Sequence, residues 1–231
     1  MTEIEKENYL ASVTHNRKIC NGIGIDIGET PKLQYLLKLL DCINEKNEKV
    51  IVSAHYTQTL DIVQNLIQNK HSFFRIDGKV TAATRQYIVN TFNENGTCVL
   101  LLSTKSAGEG FNILGANHLV LLDNDFNPSI ESQLFGRVWR KGQTRTVYIY
   151  RMVVVQSIEE EILIKQFFKT KLSESVLNST QSGDNKSHLL NHFHLKESVE
   201  FSHSFEGWTV STNCSYIPSN LTGPIFYMFK N

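Results

Sequence analysis

Residues 99–143, VLLLSTKSAGEGFNILGANHLVLLDNDFNPSIESQLFGRVWRKGQ, decide the fold. VLLLST (99–104) and LVLLD (119–123) are short runs without a polar alternate. Strands of that kind are buried on both faces, as in parallel sheets. Asn127-Pro128 then starts a helix that is expected to run to about Arg140. Working outward, the same alternation recurs. VIVSA (50–54), FFRID (73–77) and TVYIYRMVV (146–154) are expected strands. Between them, residues 57–68 place Leu60, Val63, Leu66 and Ile67 on one helical face, and residues 81–93 place Ile88 and Phe92 at helical spacing. Thr30-Pro31 opens a further helix with Leu33, Leu36, Leu37, Leu40 and Ile43 on one side. Ser157 with Glu160 forms a capping box before Ile158, Ile162, Leu163 and Phe167. Strands alternating with amphipathic helices predict an α/β fold, a parallel sheet with helices on both faces. In such sheets the working loops lie at the carboxyl ends of the strands. Here those loops follow Ser53, Thr104 and Asp123.

The 231 residues carry 23 Lys or Arg against 23 Asp or Glu. A globally basic nucleic-acid coat and a globally acidic tail protein are thereby excluded, whereas a local basic stripe is not. With 41% apolar and 20% charged residues the chain is globular in composition. Cys20, Cys42, Cys98 and Cys214 form no CxxC pair and are expected to be reduced thiols in an intracellular compartment. No apolar run approaches the ~20 residues that span a bilayer, and the charged start MTEIEKENYL has no signal-peptide core. Residues 1–29 are expected to be a polar lead-in, irregular or extended around NGIGIDIGE. After about Leu172 the texture turns polar and Ser/Asn-rich, as in a linker. The final GPIFYMFK could return to the body as a strand.

Three segments can carry chemistry. In QLFGRVWRKGQ (133–143), Arg137 and Arg140 are three apart and are expected on one helical face. From Glu131 to Arg151 five Lys or Arg stand against one Asp or Glu. Adjacent guanidiniums suit a polyanion such as a triphosphate, or they simply favour a helix C-terminus and solvent. In LSTKSAGEGFN (102–112), Ser103, Thr104 and Lys105 offer hydroxyls, amides and a cation suited to a phosphate backbone. Gly108 and Gly110 would admit a ligand close to the main chain. An ordinary strand-to-helix turn has the same composition. In DNDFNPSIESQ (123–133), Asp123 and Asp125 read as caps or salt-bridge partners before they read as metal ligands. His188, His192, His194, His203 and Cys214 lack a CxxC companion, so no metal site is assigned to them. The chain contains no GxxxxGK[ST], hence no phosphate-cradling loop, and no GxGxxG after its first strand. Phosphate-facing arginines without that loop amount to half of a nucleotide machine.

VIVSAHYTQTLDIV, FFRIDGKVTAATRQYIVNTFN and residues 101–162 together resemble motifs IV, IVa, V and VI of SWI/SNF-related DNA translocases in helicase superfamily two. The likeness runs from Thr30 to Leu177 and covers only the second, C-terminal RecA-like lobe. GRVWRKGQ, the following IYR, and HFHLKES resemble the Rad-fifty-four-like branch of homologous-recombination repair. Phe126 stands where that family usually has tryptophan. The resemblance implies a lead-in over 1–29, the lobe over 30–177 and a polar linker and mostly irregular tail over 178–231. It implies that Arg137 and Arg140 act as arginine fingers on ATP held by a first lobe, with Gln133, Gly108 and Gly110 beside them. It implies that Ser53, Ser103, Thr104 and Lys105 touch the DNA backbone, and that Arg85 is either a structural or a backbone-contacting residue. ATP and Mg2+ would be held mainly by that first lobe, which this chain lacks. Implied partners are double-stranded DNA, the first lobe, and a RecA-type recombinase or chromatin, in the nucleus and not at a membrane. The chain alone is expected not to hydrolyse ATP; the missing first lobe, with no cysteine-rich zinc element evident in the tail, allows a fragment, an incomplete gene model or a decaying copy. A lobe of a chromatin remodeller, or a non-catalytic DNA- or protein-binding module, are the alternatives.

Overall fold

Strands that are apolar on every residue need cover on both sides, and helices provide it. The computed structural model describes residues 3–24, 30–94, 96, 98–108, 110–154, 157–178, 209–211 and 225–230. In chain order the elements are α1 (Glu3–Cys20), α2 (Pro31–Glu45), β1 (Val50–Ala54), α3 (Thr57–Ile67), β2 (Phe73–Ile76) and α4 (Ala82–Glu94). They continue with β3 (Val99–Ser103), a 3-10 turn (Thr104–Gly108), β4 (His118–Leu121), α5 (Pro128–Val138), β5 (Val147–Met152), α6 (Ile158–Asn178), β6 (Thr209–Ser211) and β7 (Ile225–Lys230). The sheet order is β2-β3-β1-β4-β5-β7-β6. The first five strands run parallel, with Val50 opposite Val99 on one side and His118 on the other. The α/β architecture expected from the alternating pattern is the one observed.

The two faces of the sheet carry separate cores. Val50, Val52, Leu101, Val120 and Tyr150 meet Leu36, Leu40, Leu60 and Val63 of α2 and α3. Ile51, Leu100, Leu102, Leu119 and Ile149 meet Val89, Phe92, Leu134 and Val138 of α4 and α5. Successive strand residues therefore point into different cores, which is why no polar alternate survives in β1, β3 and β4. Thr30 caps α2 by accepting from the Leu33 amide at 3.4 Å, as the Thr-Pro signal predicts.

Three features add to the sequence expectation. Residues 3–20, within the stretch expected to be a polar lead-in, form helix α1. Its apolar residues make no continuous stripe, so its periodicity is silent, and α1 packs against α6 instead. At the start of α6, Ser157 Oγ accepts from the Glu159 amide at 3.1 Å, and the Glu159 carboxylate turns back to the Val154 amide. Glu159 is buried, accepting from Lys32 Nζ at 2.6 and 2.8 Å and from the Val154 amide at 2.9 Å. Finally, α6 runs to Asn178, past the change in texture, and the described residues of the tail form two short strands. Ile225–Lys230 pairs antiparallel with β5, as GPIFYMFK allowed, and Thr209–Ser211 pairs with β7. Within 1–29, residues 25–29 of the glycine-rich stretch lie outside the described residues. So do His188, His192, His194, His203 and Cys214. Cys20, Cys42 and Cys98 are free thiols.

His118, at the start of β4, is fully buried and stacks on Tyr148 and Tyr150, with centroids 5.0 and 5.8 Å away. Its Nε2 lies 2.8 Å from the Glu48 carboxylate and its Nδ1 2.9 Å from the Tyr150 hydroxyl. A carboxylate only accepts, so Nε2 carries the proton and Nδ1 accepts from tyrosine. Burial pushes this imidazole below its ordinary range, against the pull of Glu48. A histidine buried neutral binds its proton in the unfolded chain first. Stability should therefore fall as pH drops below about 6.5, by up to ~1.4 kcal/mol per pH unit, until the folded-state value is reached. Urea midpoints between pH 8 and 5 should show this slope in the native chain, and His118→Phe should remove that part of it.

Candidate functional site at the carboxyl edge of the sheet

β1, β3 and β4 are parallel neighbours, so their carboxyl ends open at one edge. Two hydroxyls meet there. Ser53 Oγ and Thr104 Oγ1 are 3.1 Å apart, and both residues are buried. Ser103 is buried as well, whereas Lys105, on the 3-10 turn, is exposed. Of the residues expected to meet a phosphate backbone, Lys105 presents its side chain to solvent and the three hydroxyl residues are turned inward. Arg85 does not join them. It lies buried on α4 with Nη2 donating to the Val80 carbonyl at 3.0 Å, so of its two expected roles the structural one fits this position.

Helix α5 packs against the 3-10 turn. Asn127 caps it by accepting from the Ser129 amide at 3.1 Å, and Pro128 fills the first helical position. The helix stops at Val138, with Trp139 extended as its C-cap. Arg140 is therefore beyond the helix, in a turn where Gly142 has φ +107°, and the expectation of one shared helical face is corrected. The two arginines nevertheless converge. Arg137 Nη2 donates to the Gly108 carbonyl at 3.3 Å, and Arg140 Nη1 donates to Asn112 Oδ1. The exposed Gln133 stands over Gly108, where a Cβ would lie 3.9 Å from its Oε1. A Cβ on Gly110 would meet nothing, so Gly110 leaves open surface rather than relieving a clash.

The base of α5 is held by residues the motif reading passed over. Glu131 is buried; its Oε2 lies 2.8 Å from Arg151 Nη2. Its Oε1 accepts from Gln166 Nε2 at 2.7 Å and from the Asp125 amide at 3.1 Å. Glu131 was visible as the lone acid in a basic stretch, but Gln166, 35 residues away on α6, had no signal. Asp123 and Asp125 are hydrogen-bond and ion-pair partners. Asp123 accepts from the His55 amide at 2.6 Å, and Asp125 lies 3.1 Å from His55 Nδ1. The His55 contact holds the Asp125 carboxyl below its ordinary range, while burial raises that of Asp123. Among the described residues no group of three or more His, Cys, Asp or Glu could hold a metal ion. No described helix is long and apolar enough to cross a membrane.

This geometry has relatives. Residues 31–142 match the helicase conserved C-terminal domain. Over 203 residues, 77% of the chain, the sequence is 37% identical to DNA repair and recombination protein RDH54 of Saccharomyces cerevisiae. It is 39% identical over 178 residues, 74% of the chain, to DNA repair and recombination protein RAD54B of Mus musculus. The chain carries a helicase C-terminal domain whose homologues are RAD54-like proteins of the SWI/SNF family. It spans about a fifth of the length of these curated relatives, 22% and 19% respectively. The crystal structure of the C-terminal part of the Fun30 ATPase domain superposes with a TM-score of 0.58 at 32% identity, covering 65% of this chain and 52% of that one. The fold is thus that of a RecA-like helicase lobe, from a family whose ATPase domains use nucleotide and metal.

Removing Glu131 takes the carboxylate from half-buried Arg151 and buried Gln166, which keep only Gln166 Oε1 and the Asp125 carbonyl as acceptors among the bonds described. Breaking a buried pair from one side costs roughly 3–5 kcal/mol. Glu131→Ala should lower the unfolding free energy by about that amount in chemical denaturation, and Glu131→Gln, which keeps one acceptor oxygen, should cost less.

Proposed function

We propose that this chain is the second lobe of an ATP-dependent double-stranded-DNA translocase of recombination and repair. The observation that carries the reading is the convergence of Arg137 and Arg140 on the Gly108–Asn112 segment, which continues from the Ser53–Thr104 pair. The residues fit a polyphosphate. Two permanently charged planar donors emerge at one partly open surface, beside a glycine that leaves room and a glutamine that can bond a phosphate or its water. The Gly108 carbonyl that meets Arg137 and the Asn112 amide oxygen that meets Arg140 are each weaker competitors than a phosphate. Bound nucleotide supplies the phosphoanhydride whose cleavage drives the cycle; ATP and Mg2+ would be held mainly by a first lobe with its own phosphate-binding loop. The part of this chain is to orient two guanidiniums towards charge that develops on the transferred group. Lys105 and the backbone amides of the 3-10 turn meet the DNA backbone without reading its sequence. The names of the relatives support recombination and repair as the setting and the nucleus as the place. A RecA-type recombinase or chromatin is the proposed further partner.

The test joins the 231-residue chain to the first lobe of the mouse RAD54B relative and measures DNA-stimulated ATP hydrolysis. The fusion should hydrolyse ATP and the chain alone should not. Arg137→Ala and Arg140→Ala should each lower kcat by at least ~100-fold, since an arginine finger is worth roughly 10³–10⁵. Equal activity in fusion and variants would overturn the assignment, and stimulation by nucleosomes but not by naked DNA would favour a remodeller. Lys105→Ala should weaken duplex binding alike for all sequences and reduce the slope of log K against log salt by about 1.

A further inference from the structure

Helix α5 carries Gln133 and Arg137, and it starts from the corner formed by residues 123–128. A side chain from well outside the matched domain reaches that corner. Arg17, near the end of α1, is only 5% exposed. Its Nη2 donates to the Asn124 carbonyl at 2.6 Å, across 107 residues of sequence. Its guanidinium carbon lies 5.5 Å from the Tyr56 ring centroid and 5.5 Å from that of Phe126. Its charge also acts on Asp123 and Asp125, the two carboxylates of the corner. Burying a guanidinium costs free energy unless partners compensate it. Here the partners are one backbone carbonyl, two aromatic faces and two acids, all from the site side of the molecule.

Asp123, Asp125 and Phe126 have other ties, to His55, Glu131, Gln166 and Lys169, whereas the side chain of Asn124 does not. The side-chain amide of Asn124 is buried, and neither its nitrogen nor its oxygen finds a hydrogen-bond partner among the described residues; nor does Asp123 Oδ2. Buried polar atoms left unsatisfied mark a place where the local arrangement is not fixed by its own bonds. By contrast, the end of α1 is held independently. Lys32 Nζ donates to Asn21 Oδ1 at 3.0 Å and to Glu159, which in turn holds the Val154 amide. Loss of the Arg17 contact would therefore loosen the corner at Asn124 without releasing α1.

We propose that Arg17 is a positioning residue: it fixes the 123–128 corner, and through it the direction in which α5 presents Gln133 and Arg137 to the Gly108–Asn112 segment. As a device for coupling, this rests on the function proposed above. In that two-lobed arrangement the first lobe precedes α1 along the chain, so a displacement of α1 is delivered to the arginines through the Arg17–Asn124 bond.

Two measurements test it. The first uses the 231-residue chain and amide hydrogen exchange. Arg17→Met keeps the apolar stem and removes the planar fork. It should speed exchange at residues 122–126 by ~10-fold or more while leaving β1 and β3 unchanged, since local opening is read separately from global unfolding. Arg17→Lys keeps the charge but not the fork, and should restore protection only in part. The second uses the two-lobed fusion. Arg17→Met should lower the DNA-stimulated kcat by ~10-fold with KM for ATP within about twofold, the pattern of a group acting only on the reacting arrangement. Unchanged exchange at residues 122–126 would overturn the positioning role. Altered exchange with unchanged stimulation would overturn the coupling role. An inactive parent fusion would instead overturn the translocase reading and leave the exchange result to judge Arg17.

Discussion

Burial of β1, β3 and β4 on both faces is the constraint on which the rest depends. It leaves no room for function along the strands and confines polar chemistry to the edge where they end together. At that edge Ser53 and Thr104 satisfy each other, the 3-10 turn begins, and α5 returns to pack on it. The arginines are functional candidates because the sheet places their landing segment there. Their own helix contributes less than their spacing implies, since it ends before Arg140.

Buried charge is handled in a consistent way. Glu131 with Arg151, Lys32 with Glu159 and Arg17 at the 123–128 corner each join elements distant in sequence, and each is completed by hydrogen bonds to backbone or amide groups. Ion pairs of this type add little net stability compared with apolar packing, because desolvation offsets their attraction. What they provide is direction. A guanidinium accepts few geometries, so α1, α5 and α6 are held at defined positions rather than merely in contact.

Much of the frame was legible in the sequence because strand burial and helix periodicity are local signals. VIVSA, VLLLST and the Thr30-Pro31 and Asn127-Pro128 starts needed no distant information. The departures share a cause. The helix α1 shows no stripe, and its buried Arg17 is met by Asn124 and by Tyr56, both supplied from other elements. The inward turn of Arg85 depends on where the Val80 carbonyl lies. Spacing fixes which residues share a face of one element, and it cannot report which carbonyl another element will bring to meet them.

The pairing of β7 with β5 has a practical consequence for handling the molecule. Without β7, Val147–Met152 would end the sheet with six residues of unpaired backbone, a template on which another chain can add. With it, the sheet ends in Phe73–Ile76 on one side and Thr209–Ser211 on the other, four and three residues long. Stretches that short make poor templates for association. A version cut after α6 would keep every arginine discussed here and yet leave β5 as an adhesive flank.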